Sequence, residues 1–333
     1  MSFRHTAIIG AGGWGTALAV LWSKRGNAIT LWGNNPERTA QLRETRENSE
    51  YLPGIKLRDA IRVTSDIADC SRADLIVFVT PSVVLRSVSK RLQATNLNSS
   101  AILLSGTKGI EHGTGMRMTE VLHEIFPDHT VAVLSGPNLA VEISRDLPTA
   151  AVLGCRNHEC AEELQAYLGS ERFRIYSSDE TIGIELGGAL KNVFAIAAGA
   201  GDGFGLGDNS KAALVTRSLA ELLRLGTAMG GNPRTFYGLS GAGDLIATCF
   251  SQLSRNRRVG ERLGRGETLE QICASTHTVA EGIPTAKSAY ECARKLQIET
   301  PIIDQIYSVV HKGKRPDQAM QELLGRDQKA ERA

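Results

Sequence analysis

Residues 6–15 read Thr6-Ala-Ile-Ile-Gly-Ala-Gly-Gly-Trp-Gly15, a short apolar run followed by glycines spaced as Gly-x-Gly-x-x-Gly. A segment with helical apolar spacing follows at residues 16–25. In such a strand, turn and helix, Gly10 makes the tight turn, Gly12 lets the backbone approach a pyrophosphate, and Gly15 allows close packing. The helix N-terminus then faces the anion. The stretch predicts a dinucleotide-binding unit, with a glycine-rich turn that binds nothing as the alternative.

The first half of the chain alternates strand-like apolar runs with helical patterns or loops. The runs lie at residues 7–9, 28–32, 61–63, 75–79, 101–104, 131–134, 150–153 and 172–176. This alternation predicts an N-terminal α/β domain of the Rossmann type, with a doubly wound, mostly parallel sheet.

Beyond these runs only helical patterns remain. They lie at residues 212–229, 280–296, 300–311 and 316–324. We therefore expect a dinucleotide-binding domain at residues 1–180 and an all-α substrate-binding and catalytic domain at residues 181–333. The cleft between the two domains is the expected ligand site.

One charged residue, Lys191, lies within the most apolar stretch of the chain, residues 184–199. At helical spacing its neighbours are small or apolar, namely Gly187, Gly188, Phe194, Ala195 and Ala198. Burial lowers the pKa of a lysine, so Lys191 is a candidate proton donor and acceptor near neutral pH. The alternative is a structural lysine whose ammonium reaches the edge of the helix.

Composition and charge favour a soluble enzyme. The 38 basic and 36 acidic residues give a net charge of +2, so no polybasic field indicates nucleic acid or a membrane surface as a partner. No apolar run reaches the length of a membrane span, and the first strand begins too early to leave room for a signal peptide. The six cysteines form no C-x-x-C pair and no ligand-spaced cluster. We therefore expect reduced thiols, no metal site and a cytoplasmic location.

Seven short motifs between residues 9 and 282 resemble those of the bacterial-type NAD(P)-dependent glycerol-3-phosphate dehydrogenase family, in that family's order. They are Ile9-Gly-Ala-Gly-Gly-Trp-Gly-Thr-Ala17, Thr107-Lys-Gly109, Leu134-Ser-Gly-Pro137, Leu186-Gly-Gly-Ala-Leu-Lys-Asn-Val193, Gly241-Ala-Gly-Asp-Leu245, Ser254-Arg-Asn256 and Val279-Ala-Glu-Gly282. The resemblance implies reversible reduction of dihydroxyacetone phosphate to sn-glycerol 3-phosphate, the backbone precursor of membrane phospholipids. NAD or NADP would be the cofactor.

The resemblance also implies roles for individual residues. Lys191 matches the family's proton acceptor, and Lys108 would contact both substrate and cofactor. The substrate-binding residues would be Lys108, Gly136, Asn138, Lys191, Asp244, Ser254, Arg255 and Asn256. The cofactor-binding residues would be Gly10, Gly12, Gly13, Trp14, Gly15, Asn34, Lys108, Gly136, Ala140, Arg255, Val279 and Glu281. Asn138 departs from the family, which usually carries Ser or Thr after Gly-Pro.

Residue chemistry supports several of these roles and leaves alternatives. Asp244, in a glycine-rich turn, can bond a substrate hydroxyl or orient the Lys191 ammonium, or it can be a helix N-cap. A solvated loop lysine is the alternative for Lys108.

The hydroxyl, guanidinium and amide of Ser254, Arg255 and Asn256 suit a phosphate dianion. Because Arg257 and Arg258 follow, a solvated basic helix end explains that segment equally well.

The choice of cofactor depends on the end of the second strand, where an acidic residue would favour NAD. Nothing acidic appears there before Glu37. Asn34 can bond a ribose without repelling a 2′-phosphate, and Arg38 follows closely. NADP is therefore expected to be usable, with the preference open.

Two other functions remain as alternatives. A related β-hydroxyacid dehydrogenase also combines a Rossmann domain with a Lys-Asn helix. A non-catalytic dinucleotide sensor would keep the glycines, although the presence of Lys191, Asp244 and Arg255 argues against it. The expected partner is a small-molecule substrate, with a homodimer as a possible assembly.

Overall fold

A computed structural model describes residues 3–276, 280–328 and 330–331. Its N-terminal part is built on an eight-stranded sheet. The strands are β1 His5–Ile9, β2 Ala28–Trp32, β3 Ile61–Thr64, β4 Leu75–Phe78, β5 Ile102–Ser105, β6 Val131–Ser135, β7 Thr149–Gly154 and β8 Phe173–Ser178. Their order is β3-β2-β1-β4-β5-β6-β7-β8, and only β6 and β7 pair antiparallel. The predicted doubly wound, mostly parallel sheet is confirmed.

Helices cover both faces of this sheet. They are α1 Gly13–Ser23, α2 Pro36–Thr45, α3 Leu85–Gln93, α4 Met118–Ile125, α5 Ala140–Ser144 and α6 His158–Leu168. Strands β4 and β5 are buried along their whole length, as expected for parallel strands with helices on both sides. The loops that leave the carboxyl ends of β1, β4, β5 and β6 therefore meet at one edge, where open α/β sheets bind ligands.

The C-terminal part is helical, as predicted. It contains α7 Ile182–Gly203, α8 Asp208–Ala228, α9 Asp244–Phe250, α10 Arg255–Gly264, α11 Leu269–Ala274, α12 Gly282–Lys295, α13 Pro301–Lys312 and α14 Pro316–Leu324. The four helical patterns beyond residue 211 correspond to α8, α12, α13 and α14. Helices α9, α10 and α11 lie outside the predicted helical patterns.

Helix α7 carries Lys191 and lies at the centre of the helical part, with residues 183–199 all buried. It meets α10 backbone to backbone. A β-carbon on Gly199 would overlap the carbonyl of Arg257, and one on Gly260 would overlap the carbonyl of Ile196. Glycine is therefore required at both positions for this approach, and the two helices are held at a distance that side chains do not set.

Among the described helices, α7 alone is long and apolar enough to cross a membrane, with 22 residues and a mean hydropathy of 1.3. The sequence analysis found no apolar run of that length. In the structure 94% of its apolar window is buried inside the protein, which is the ordinary setting of a core helix.

A buried carboxylate ties α7 to the sheet. Glu185, in the first turn of α7, accepts hydrogen bonds from Arg117 Nη1 at 2.6 Å and from the Thr119 backbone N–H at 2.8 Å. Burial raises the pKa of Glu185, although Arg117 opposes the shift. Since Arg117 and Thr119 lie at the start of α4, this contact holds the Lys191 helix against the sheet edge.

Candidate active site

The Lys191 ammonium is buried between α7 and α9. Its Nζ donates to Asp244 Oδ1 at 3.0 Å and to Thr248 Oγ1 at 2.6 Å, and its side chain is 9% exposed. Burial lowers the pKa of Lys191 to about 8, because desolvation of the ammonium outweighs the attraction of Asp244. A lysine with this pKa can give and take a proton near neutral pH. The geometry does not fit an ammonium that reaches solvent at the helix edge.

Asp244 connects two lysines. It is the first residue of α9, directly after a π-helical turn at Leu239–Gly243, and its side chain is 2% exposed. Its Oδ2 accepts from Lys108 Nζ at 2.6 Å, while Oδ1 faces Lys191. Burial raises the pKa of this carboxyl, but the two ammonium groups outweigh burial and hold the pKa below its usual value. Of the roles considered, orientation of Lys191 fits these contacts, whereas the N-cap of α9 is Gly243.

Lys108 joins the sheet edge to α9. It follows β5, and besides Asp244 its Nζ donates to the carbonyl of Gly136, after β6, at 3.0 Å. The side chain is 18% exposed, so a solvated loop lysine does not describe it. Gly188 of α7 lies beside it, where a β-carbon would collide with Ser135 Oγ. The small residues of α7 thus let the sheet edge and the Lys191 helix share one cleft.

The predicted phosphate clamp lies at the N-terminus of α10, where the structure gives its residues different partners. Ser254 is the N-cap, and its hydroxyl accepts from the Arg257 backbone N–H at 3.2 Å. The Asn256 amide is buried, donating to Asn192 Oδ1 and accepting from the Gly282 backbone N–H, each at 2.8 Å. Arg255 is exposed and makes no ion pair within the described residues. Within the described residues, the free N-terminal groups here are therefore the Arg255 guanidinium and the backbone N–H groups of Arg255 and Asn256.

The neighbouring arginine does not belong to a solvated basic helix end. Arg257 Nε lies 2.6 Å from Asp202 Oδ2, and Lys211 Nζ bonds the same carboxylate at 2.9 Å. Arg258, in contrast, is exposed.

The glycine loop has the shape that a pyrophosphate needs. Gly10 has φ +128°, a value that side chains disfavour, and a β-carbon on Gly15 would overlap the Gly10 carbonyl. A β-carbon on Gly12 would meet nothing within 4 Å, so it would project into open space beside the N-terminus of α1. Both features match the roles expected for these glycines.

Buried polar groups without partners lie along the same sheet edge. Within the described residues, no hydrogen bond is formed by Trp14 Nε1, Thr80 Oγ1, Ser105 Oγ or Ser135 Oγ. Buried polar groups in proteins are normally satisfied. Together with the open space at Gly12, these groups fit a bound dinucleotide.

The other predicted cofactor residues lie around this edge, with one exception. Gly13 and Ala140 begin α1 and α5, and Asn34 follows β2. Glu281 accepts from the Ser82 backbone N–H at 3.1 Å and from Ser82 Oγ at 2.6 Å, which joins the start of α12 to the loop after β4. Asn138, which was predicted to bind substrate, donates from Nδ2 to the carbonyl of Ala150 at 3.0 Å. Val279 lies outside the described residues.

Three residues that the sequence analysis did not select belong to this region. Thr248 bonds Lys191, Asn192 bonds Asn256, and Arg91 bonds Asn34. Thr248 could have been found, because it lies four residues after Asp244 and such positions share a helix face.

Among the described residues, no group of three or more His, Cys, Asp and Glu side chains could hold a metal ion.

Replacing Gly12 with valine is expected to abolish NADH and NADPH binding without unfolding the protein. The new β-carbon has no protein atom within 4 Å, and the branched side chain occupies the space where a pyrophosphate approaches the backbone. Calorimetric titration measures binding, and thermal melting reports the fold. A contrasting variant, Gly15→Val, should destabilise the protein itself, since its β-carbon overlaps the Gly10 carbonyl. Unchanged NADH binding by Gly12→Val would contradict the assignment of this loop.

Comparison with known proteins places the chain in a family. Residues 5–161 and 180–321 match the two halves of one family, described as the NAD-dependent glycerol-3-phosphate dehydrogenase N-terminus and C-terminus. A curated relative, "Glycerol-3-phosphate dehydrogenase [NAD(P)+]" of Citrifermentans bemidjiense, is 45% identical over 329 residues, covering 98% of each chain. A crystal structure of glycerol-3-phosphate dehydrogenase from Coxiella burnetii superposes with a TM-score of 0.93 at 35% identity, covering 97% of this chain and 99% of that one.

A more distant structure bears on the hydroxyacid dehydrogenase alternative. A PanE/ApbA family ketopantoate reductase from Ralstonia eutropha has a TM-score of 0.62 at 17% identity, covering 95% of this chain and 99% of that one, and so shares the fold alone. In contrast, both halves of the chain, residues 5–161 and 180–321, match the glycerol-3-phosphate dehydrogenase family. The chain belongs to the NAD(P)-dependent glycerol-3-phosphate dehydrogenase family.

Proposed function

We propose that this chain catalyses the reversible NAD(P)-dependent reduction of dihydroxyacetone phosphate to sn-glycerol 3-phosphate. The observation that carries the proposal is the buried network of Lys108, Asp244 and Lys191 at the sheet edge that also holds the glycine loop. The relatives named for this activity support the same substrate. The reduced nicotinamide, when bound, supplies a hydride to the ketone carbon.

Lys191 acts as the proton donor in reduction. Its ammonium gives a proton to the substrate oxygen as negative charge develops there, and in the reverse direction the neutral amine takes the proton back. Asp244 and Thr248 orient the ammonium through their hydrogen bonds. Lys108 adds a second positive charge to the cleft and stabilises the developing oxyanion.

This role predicts opposite pH dependences for the two directions. Reduction needs protonated Lys191, so its rate falls as pH rises through the pKa of about 8. Oxidation needs the neutral amine and therefore becomes faster over the same interval.

The substrate phosphate binds at the N-terminus of α10. The Arg255 guanidinium offers two parallel N–H donors to a phosphate, and the unpaired backbone N–H groups of the first turn add further donors. Ser254 and Asn256 support this anion site by fixing the helix end through their own hydrogen bonds.

Replacing Arg255 with alanine is expected to raise the KM for dihydroxyacetone phosphate about 10-fold or more, the scale of one hydrogen bond to a charged group. Binding of the nicotinamide cofactor should change less. Arg258→Ala is the matched control, because Arg258 is exposed on the same helix. Steady-state kinetics measures the effect. If inorganic phosphate inhibits Arg255→Ala and wild type equally, Arg255 does not bind the phosphate.

The proposed activity is tested by following NADH and NADPH oxidation with dihydroxyacetone phosphate. Glyceraldehyde 3-phosphate, which has the same phosphate but an aldehyde, serves as the control substrate. A panel of hydroxy acids and their keto acids tests the hydroxyacid dehydrogenase alternative. Cofactor binding without turnover of any of these substrates would favour a dinucleotide sensor and contradict the proposal.

We also propose the division into a cofactor domain at residues 1–180 and a substrate domain at residues 181–333. In support of this division, two buried apolar clusters lie wholly within residues 7–175, and a third, apart from Ile110, lies within residues 186–310.

We further propose that the enzyme works in the cytoplasm as a homodimer and that its product enters glycerophospholipid synthesis.

A further inference from the structure

Two arginines flank the position where β2 ends. Arg91, in the last turn of α3, donates from Nη1 to Asn34 Oδ1 at 2.6 Å. Its Cζ lies 5.3 Å from the ring centroid of Trp32, the last residue of β2. On α2, Arg38 bonds the Tyr51 hydroxyl at 3.0 Å and pairs with Glu50 at 3.1 Å. Positive charge therefore gathers beside Asn34.

The two arginines differ in how far their charge is neutralised. Arg38 has Glu50 as a counter-charge, whereas Arg91 forms no ion pair within the described part of the chain. Its one polar partner among the described residues, Asn34, is neutral and occupies one of the five N–H donors of the guanidinium. The remaining donors of Arg91 are available to an anion.

The position of this free cation has a chemical meaning in a doubly wound sheet. The residue after the second strand normally faces the adenosine ribose, and an acidic side chain there binds the 2′-hydroxyl of NAD. Here Gly33 follows β2 directly, so the first side chain beyond the strand is that of Asn34, which is held by an arginine. A carboxylate would repel a 2′-phosphate, while a guanidinium can pair with one through two N–H groups.

We infer that Arg91 binds the 2′-phosphate of NADP and makes the protein prefer NADP to NAD. Stacking on the buried Trp32 ring and the bond to Asn34 hold the guanidinium in place before the cofactor arrives, so little side-chain freedom is lost on binding. The inference rests on the proposed function only in that a dinucleotide binds at the glycine loop.

The competing explanation is that Arg91 simply secures the loop after β2. In that case its removal lowers the melting temperature and weakens both cofactors alike. A 2′-phosphate contact instead weakens only ligands that carry this phosphate, and the loss diminishes at high ionic strength.

Calorimetric titration with two adenosine fragments tests the inference independently of catalysis. Adenosine 2′,5′-bisphosphate and 5′-AMP differ only in the 2′-phosphate. Wild-type protein is expected to bind the bisphosphate at least about 10-fold more tightly than 5′-AMP, which is the scale of one hydrogen bond to a charged group. Arg91→Gln should remove that difference and leave 5′-AMP binding within about twofold. Arg91→Lys, which keeps the charge but not the fork, should fall between them.

Two matched variants complete the experiment. Lys90→Gln removes a charge from the neighbouring residue on α3 and should leave the preference unchanged, and Arg38→Gln tests the other arginine. Equal binding of the fragments by wild type, or a preference that survives in Arg91→Gln or vanishes only in Arg38→Gln, overturns the inference. A protein that shows the expected fragment preference but does not reduce dihydroxyacetone phosphate would overturn the proposed function and leave the role of Arg91 standing.

Discussion

Replacing Lys191 with methionine is expected to lower turnover by at least about 100-fold, the usual lower range for loss of a positioned acid or base. Methionine keeps the length and apolar character of the side chain but removes the proton and the charge. Asp244 retains Lys108 and Thr248 as partners, so the cleft should keep its arrangement. The melting temperature should therefore stay within about 3 °C of wild type, and cofactor affinity should be nearly unchanged.

The pH profile distinguishes this role from a structural one. Wild-type reduction should slow as pH rises through about 8, where Lys191 loses its proton, and the residual rate of the mutant should lack this ionisation. Lys295→Met makes the same substitution at an exposed position and should leave turnover unchanged. A Lys191→Met protein that keeps more than about a tenth of wild-type turnover would rule out the proton-transfer role.

Replacing Asp244 with asparagine is expected to destabilise the protein by about 3 kcal/mol at neutral pH, because two ammonium groups lose their shared buried counter-charge. The pKa of Lys191 should also fall further, since Asp244 normally raises it. The decline of the reduction rate should consequently begin at lower pH than in the wild type. Urea unfolding and pH–rate profiles measure the two effects.

The stabilisation by Asp244 also has a definite dependence on acid. Because its folded-state pKa lies below the ordinary value of 3.8, the contribution is present above that pH and is lost as pH falls towards the lowered value. Asp244→Asn should therefore lose less stability than the wild type over this acid interval. Asp59→Asn, at an exposed position, serves as the control. Wild-type stability in Asp244→Asn would show that the two lysines do not depend on this carboxylate.

The sheet was predictable because its strands are short, apolar and separated by clear breaks. Every predicted strand corresponds to an observed one, with shifts of only one or two residues at the ends. The helical part was predicted less completely. Helix α9 follows the π-helical turn Leu239–Gly243, whose three small residues and single serine indicate a loop locally. Packing against α7, which the sequence does not display, overrides that local preference.

The site was predictable where a residue is unusual for its surroundings and obscure where pairing is distant. Lys191 stands out in an apolar helix, and the sequence suggested its contact with Asp244. The bond from Arg91 to Asn34 spans 57 residues, and no local pattern announces it. For Asn256, residue type suggested a phosphate ligand, whereas burial directs its amide to Asn192 and Gly282. Side-chain chemistry thus indicated which residues gather, but not how each divides its hydrogen bonds.

The glycine contact between α7 and α10 bears on how this enzyme could change in evolution. Lys191 and Arg255 stand on these two helices, which touch through backbone at Gly199 and Gly260. Ordinary specificity changes enlarge or shrink a pocket one side chain at a time. In the proposed site, main-chain geometry would set the span from the reacting oxygen to the phosphate, and we expect point mutations in the lining not to lengthen it. Acceptance of larger sugar phosphates would require the two helices to move apart. We therefore expect the length of the accepted substrate to be the property of this active site that is hardest to change.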